Sequence, residues 1–202
     1  MTYSMTGEDD IVLKYFGDFK GRFLDLGAHD GKEISNTYLL AEHGWSGVAV
    51  EACFEFIGKW RENMGGFPAV ELLNAAIAPA SGITPFWYLK GSCESSASEA
   101  LVKTCNVRVN AKLMHVASVT VAELIAYFKP PFHFINIDID GNSLDAMKAL
   151  DLDAVGCRCI CVEYLHEDHV PVREDKIIVP YLEERGFRIL EVNQENVIAV
   201  RG

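Results

Sequence analysis

The chain has 202 residues, half of them hydrophobic and 23% charged, a soluble globular composition with room for a sizeable core. Its 18 Lys and Arg stand against 29 Asp and Glu, a formal net charge of −11, which argues against gripping a nucleic-acid backbone or an anionic membrane surface. No apolar run approaches the roughly 20 residues that span a bilayer, and the N-terminus MTYSMTGEDD lacks the basic and apolar parts of a signal peptide. The expectation is a cytoplasmic protein with one domain over residues 1–202, free-standing or cut from a longer chain.

Residues 2–20 read as a helical lead-in, with Ile11, Val12, Tyr15 and Phe16 at helix spacing. RFLDLG is a short apolar strand, followed by a helix over about residues 32–43. WSGVAVEA is a second strand, CFEFIGKWREN a second helix and AVELLNAAIA a third strand. ITPFWYL alternates as a strand, and the Ser-rich KGSCESSASEA is a loop of the kind that meets ligands. MHVASVTV is another strand, after which Thr120 caps a short helix, VAELIAYF, closed by Pro130 and Pro131. FHFINIDID is a buried strand, GNSLDAMKAL a helix, CRCICVEYL a strand and EDKIIVPYLEERG an amphipathic helix ending at Gly186. FRILEVN and VIAVR form a closing hairpin. Alternating strands and helices predict an α/β fold: a Rossmann-like, mostly parallel sheet with helices on both faces and an antiparallel C-terminal hairpin.

Ligands of such sheets sit beyond the C-terminal strand ends, where strand order reverses. There lies the turn Gly27-Ala28-His29-Asp30-Gly31, preceded by Asp25. A dinucleotide turn has glycine at the middle position, which here is His29. Asp25 and Asp30 would repel a pyrophosphate and suit a cation. Glu51 ends the second strand about 20 residues past Gly31, where a carboxylate accepts hydrogen bonds from ribose hydroxyls. A ligand with an adenosine, no phosphate and cationic groups near the ribose is S-adenosylmethionine. The six cysteines, Cys53, Cys93, Cys105, Cys157, Cys159 and Cys161, read as small buried hydrophobes in a reducing compartment. The last three are spaced for one face of a strand.

The stretch FLDLGAHDGKEISNTYLLAEHGWSGVAVEACFEFIGKWREN resembles the opening of the FkbM-type methyltransferases, class I S-adenosylmethionine-dependent enzymes with a seven-stranded sheet. The resemblance continues in ELLNAAIA, SVTVAELIAYF and FINIDIDGNSLDAMKAL followed by CRCICVEY, covering roughly residues 23–164. It implies that Asp25, Gly27, Ala28, Asp30 and Gly31 cradle the methionine part of the cofactor. It places Glu51 on the ribose with Ala52 beside it, Asn74, Ala75 and Ala76 near the adenine, and Asp138 at the reactive end. This chain has Asn136 where many members carry Lys, and Asp140 where Glu is common. The acceptor implied is a hydroxyl of a sugar, in a glycan or a glycosylated small molecule.

A hydroxyl is a weak nucleophile at neutral pH and needs a base or a metal. Asp138 and Glu163 are candidate catalytic carboxylates, and with Asp140 they form an oxygen-rich candidate site for Mg²⁺. An EF-hand does not compete, because position 149 is Ala. His166 and His169, in YLHEDHV, are candidate bases, and a solvated polar loop is the plainer reading. Trp87, Tyr88 and the hydroxyl-rich loop after them suit a sugar platform or a core edge. Two rivals remain: a nicotinamide-dependent oxidoreductase, which the His at position 29 disfavours, and a non-catalytic binding module on the same fold. Oligomeric state stays open.

Overall fold

The computed structural model describes residues 2–92, 95–99, 101, 110–164 and 173–202. After helix α1 (Glu8–Phe16), strand β1 (Arg22–Leu26) forms the centre of a seven-stranded sheet. The chain moves outward through α2 (Tyr38–Glu42), β2 (Ser46–Val50), α3 (Phe54–Met64) and β3 (Val70–Leu73). It then crosses to the other side of β1 through β4 (Ala76–Ile77), β5 (Gly82–Tyr88), β6 (Lys112–Val119) and α4 (Val121–Phe128). The second half runs β7 (Phe134–Ile137), α5 (Ser143–Ala149), β8 (Cys159–Glu163), α6 (Asp175–Glu183), β9 (Arg188–Val192) and β10 (Asn196–Val200). The sheet order is β3-β2-β1-β7-β8-β10-β9, so strand order reverses between β1 and β7. Strands β3 to β8 of that order are parallel, and β10 runs antiparallel to both β8 and β9.

The strands carry near-continuous apolar runs because both faces are covered. Period-two alternation sends their side chains into two cores. Leu24, Val48, Ile135 and Ile160 pack with Leu124 of α4, Met147 of α5 and Ile178 and Leu182 of α6. Phe23, Ala49, Phe134, Cys159 and Cys161 pack with Val12 and Phe16 of α1, Leu40 of α2 and Trp60 of α3. Helices therefore cover both faces, as the sequence predicts. Cys159 and Cys161 are buried free thiols, as expected. Cys157 precedes the strand and joins the opposite core, so the three do not share one face.

Two expectations are corrected. The helix expected over 32–43 shrinks to Tyr38–Glu42. Ser35 Oγ accepts from the backbone N–H groups of Thr37 (3.2 Å) and Tyr38 (3.0 Å), and such local bonds compete with helix formation. The strand expected over AVELLNAAIA breaks at Asn74–Ala75 into β3 and β4. Its second half leaves the main sheet for a three-stranded one, ordered β4-β6-β5, in which ITPFWYL and MHVASVTV pair antiparallel. Thr120 does cap α4: its hydroxyl accepts from the Glu123 N–H at 3.2 Å, and the Glu123 carboxylate accepts from the Thr120 N–H at 3.1 Å. No helix among the described residues is long and apolar enough to cross a membrane.

Candidate functional site

A cleft open to solvent lies beyond the C-terminal ends of β1, β2 and β7, at the point where strand order reverses. Gly27 makes its floor possible. It has φ of 94°, and a Cβ there would collide with the carbonyl oxygen of Asp138, so only glycine lets the turns after β1 and β7 meet. Five carboxylates line the cleft, from Asp25, Glu33, Glu51, Asp138 and Asp140, and no Lys or Arg does so among the described residues.

Each acid is held differently. Asp25 is buried; its carboxylate accepts from the Thr37 hydroxyl at 2.6 Å and from the Asn136 amide at 2.9 Å. Asn136 in turn accepts from the Asn36 amide at 2.9 Å. Burial raises the Asp25 pKa, and these two donors offset it only in part. Glu51 is 8% exposed and accepts from the backbone N–H groups of Cys53 (2.6 Å) and His29 (2.8 Å). Burial nevertheless pushes its pKa up to about 7. Asn74 donates to the Glu51 carbonyl at 2.7 Å, tying the end of β3 to the end of β2.

At the far end of the cleft, Asp138 and Glu163 are neighbouring acids close enough to shift each other's pKa. The Ser143 hydroxyl donates to Glu163 Oε2 at 3.2 Å and accepts from the Ile139 N–H at 3.1 Å. Burial, reinforced by neighbouring carboxylates, raises the pKa of both acids. Two neighbouring carboxyl groups with raised pKa values favour a proton on one of them, the arrangement that poises the pair to exchange it.

Of the sequence-predicted residues, Asp25, Gly27, Ala28, Glu51, Ala52, Ala75, Ala76, Asp138 and Asp140 line this cleft together. Glu163 stands behind Asp138 rather than in the lining. Asp30 and Gly31 lie outside it. The Asp30 carboxylate accepts from the N–H groups of Lys32 (2.9 Å) and Glu33 (2.8 Å) and approaches Lys59 at 3.5 Å, while Gly31 packs under Trp60. His166, His169, Cys93 and Cys105 lie outside the described residues. Trp87 and Tyr88 occupy opposite faces of β5; Tyr88 meets Phe54 at a tilt of 46° with ring centroids 5.2 Å apart and donates to Glu55 at 2.8 Å. Among the described residues, no group of three or more His, Cys, Asp or Glu side chains is arranged to hold a metal ion. Asp138, Asp140 and Glu163, expected to hold Mg²⁺, do not form such a group, and the Glu163 carboxylate accepts from the Ser143 hydroxyl.

Sequence reasoning missed Asn36, Thr37, Ser96 and Ser143. The signal for the first two is the polar run ISNT interrupting an apolar pattern; Ser96 sits in the loop already marked as hydroxyl-rich.

The seven-stranded order, the reversal at β1 and β7 and the terminal hairpin are those of class I S-adenosylmethionine-dependent methyltransferases. The sequence matches the family described as Methyltransferase FkbM domain over residues 25–189, and the chain belongs to that family. No curated protein matches it. Similar solved structures include an rRNA methylase from Streptococcus thermophilus, with a TM-score of 0.55 and 14% identity over 100% of this chain and 98% of that one. Monomeric WbdD gives a TM-score of 0.57 and 14% identity over 98% of this chain and 41% of that one. Precorrin-6y C5,15-methyltransferase from Geobacter metallireducens GS-15 gives 0.51 and 14% over 96% and 88%. At these identities the likeness establishes the fold alone.

Proposed function

We propose that the protein is an S-adenosylmethionine-dependent O-methyltransferase whose acceptor is a sugar hydroxyl, in a glycan or a glycosylated small molecule. The observation that carries the cofactor reading is the charge of the cleft: five carboxylates and no lining cation among the described residues. Such a lining favours a ligand bearing a sulfonium and an ammonium and opposes a pyrophosphate, which disfavours a nicotinamide dinucleotide. In this reading Glu51 receives the ribose hydroxyls, Asp25, Gly27 and Ala28 take the methionine end, and Ala52, Ala75 and Ala76 leave room for the adenine. Asp30 and Gly31 shape the same turn from behind.

S-adenosylmethionine supplies a methyl group on a sulfonium, open to in-line displacement. Asp138 would accept the proton of the acceptor hydroxyl as that oxygen displaces the methyl group from sulfur. Glu163, fixed by Ser143, neighbours Asp138 and shares its proton. This pair favours an enzyme over a non-catalytic binding module, which needs no proton acceptor at the reactive end. The sugar acceptor rests on the family and on charge, because a net charge of −11 opposes an RNA acceptor. Calorimetry with S-adenosylhomocysteine and NAD tests the cofactor: binding of the first and not the second is expected, and the reverse overturns it. A labelled-methyl screen across neutral glycans, nucleic acids and small molecules tests the acceptor. Label in RNA alone would overturn the sugar reading.

A further inference from the structure

Residues 95–98 cross the cleft, with Ser95, Ser96 and Ala97 in its lining, and they are fastened at both ends. On one side Ser96 pairs with the edge strand β5: Trp87 N–H donates to its carbonyl at 2.8 Å, and its own N–H donates to the Trp87 carbonyl at 3.0 Å. On the other side the Ser96 hydroxyl donates to the Asp140 carbonyl at 2.6 Å, while accepting from the Ser98 N–H at 2.9 Å. Ser96 is 2% exposed, so these bonds are made away from water. The carbonyl it holds belongs to a residue with φ of 30°, a left-handed conformation uncommon outside glycine. The next residue, Gly141, is touched from above: a Cβ there would lie 2.9 Å from Ser98 Cβ and 3.0 Å from Leu101 Cδ2. Thus one small residue links the second sheet to the turn that carries Asp138 and Asp140.

We propose that Ser96 is a positioning residue that clasps the 95–98 segment onto the Asp138–Gly141 turn over the cofactor, and that breaking this clasp governs release of the cofactor product. The proposal rests on the cofactor reading of the cleft given above. Among the described residues, the hydrogen bond from the Ser96 hydroxyl to the Asp140 carbonyl ties the segment to the reactive side. In that reading the ligand fills the cleft this segment lines, so the tie restrains the segment against the bound ligand. Ser96 touches no reacting atom in this account; it acts through the position of the turn.

The test measures dissociation of S-adenosylhomocysteine by stopped flow from the wild type, from Ser96→Ala and from Ser118→Ala. Ser118 is an equally buried serine, donating to the Ala80 carbonyl at 3.0 Å in the second sheet, and controls for general loosening. Ser96→Ala is expected to dissociate roughly tenfold faster, the factor carried by one buried hydrogen bond, with Ser118→Ala unchanged. Equal rates for Ser96→Ala and wild type overturn the clasp while leaving the cofactor site standing. A wild type that binds no S-adenosylhomocysteine overturns the cofactor reading and the clasp with it. Hydrogen exchange in the wild type gives a second readout that needs no variant. The Trp87 and Ser96 amides are expected to exchange at least about tenfold more slowly with S-adenosylhomocysteine bound. Unchanged exchange in a bound complex overturns the clasp.

Discussion

Glu51 links stability to cofactor affinity through a single proton. Its pKa is raised from 4.5 to about 7, chiefly by burial. A raised carboxyl pKa means the folded state binds the proton more tightly than the unfolded state. The group's stabilising contribution is complete below the unfolded value and is lost as pH climbs through about 7. A shift of that size corresponds to about 3 kcal/mol lost between pH 4.5 and 8 in the ligand-free protein. Other buried acids add slope of the same sign, so the measurement is a difference: wild type against Glu51→Gln, by denaturant titration across that range. The variant is expected to be shallower by about 3 kcal/mol. Any fixed cost of a mismatched amide against the Cys53 and His29 N–H groups cancels between the two pH values. Ribose hydroxyls donate to the ionised form, so S-adenosylhomocysteine should bind the wild type about tenfold more weakly at pH 6 than at pH 8. In Glu51→Gln the part of that pH dependence due to Glu51 should be lost and affinity should fall by roughly 1–3 kcal/mol at pH 8. A wild-type affinity flat from pH 6 to pH 8, or an unaltered stability slope in the variant, would refute the reasoning.

Three further perturbations separate the parts of the site. Asp138→Asn removes the proton acceptor and should lower kcat roughly 10²–10⁴-fold, with far less effect on S-adenosylhomocysteine affinity; turnover within a few fold of wild type would assign the proton elsewhere. Gly27→Ala forces a side chain into the Asp138 carbonyl at φ of 94° and should cost more than about 1 kcal/mol of stability, read by thermal melting; a wild-type melting temperature would contradict the contact between the two turns. Thr120→Ala deletes the capping box of α4 at a residue outside the cleft lining and should cost about 1 kcal/mol with kcat unchanged; a drop in turnover at full stability would show that α4 reaches the site.

The main sheet was legible because its strands are apolar on both faces and alternate with amphipathic helices, as at RFLDL, SGVAV and CICVE. What misled was local chemistry. ISNTY carries apolar residues at helix spacing, yet its hydroxyls bond the backbone and Asp25 rather than yielding to a helix. AVELLNAAIA reads as one strand because nothing in its pattern marks Asn74 as the residue that turns back to hold the Glu51 carbonyl. In the site, Asp25, Gly27 and Glu51 were legible from spacing, since fixed offsets from strand ends place them. Asp30 was not, because a turn acid aimed at ligand and one that caps its own backbone have the same sequence. Ser96 and Asp140 lie 44 residues apart in the chain, and no local pattern could have joined them.

The acids at this end of the sheet would lower stability if nothing bound there. Asp25, Glu51, Asp138 and Glu163 all have raised pKa values with burial as the first cause, so each ionised form costs the empty fold. The surrounding groups do little to cancel that charge. Asp25 is satisfied by Thr37 and Asn136, neutral donors that complete its hydrogen bonds and leave its negative charge intact. A lysine at position 136 would have neutralised it; the amide does not. The uncancelled charge is then available to a cationic ligand whose binding displaces water from the cleft and so lessens the screening of the attraction. The strain of keeping these carboxylates buried and the attraction they exert on a sulfonium are two consequences of the same placement.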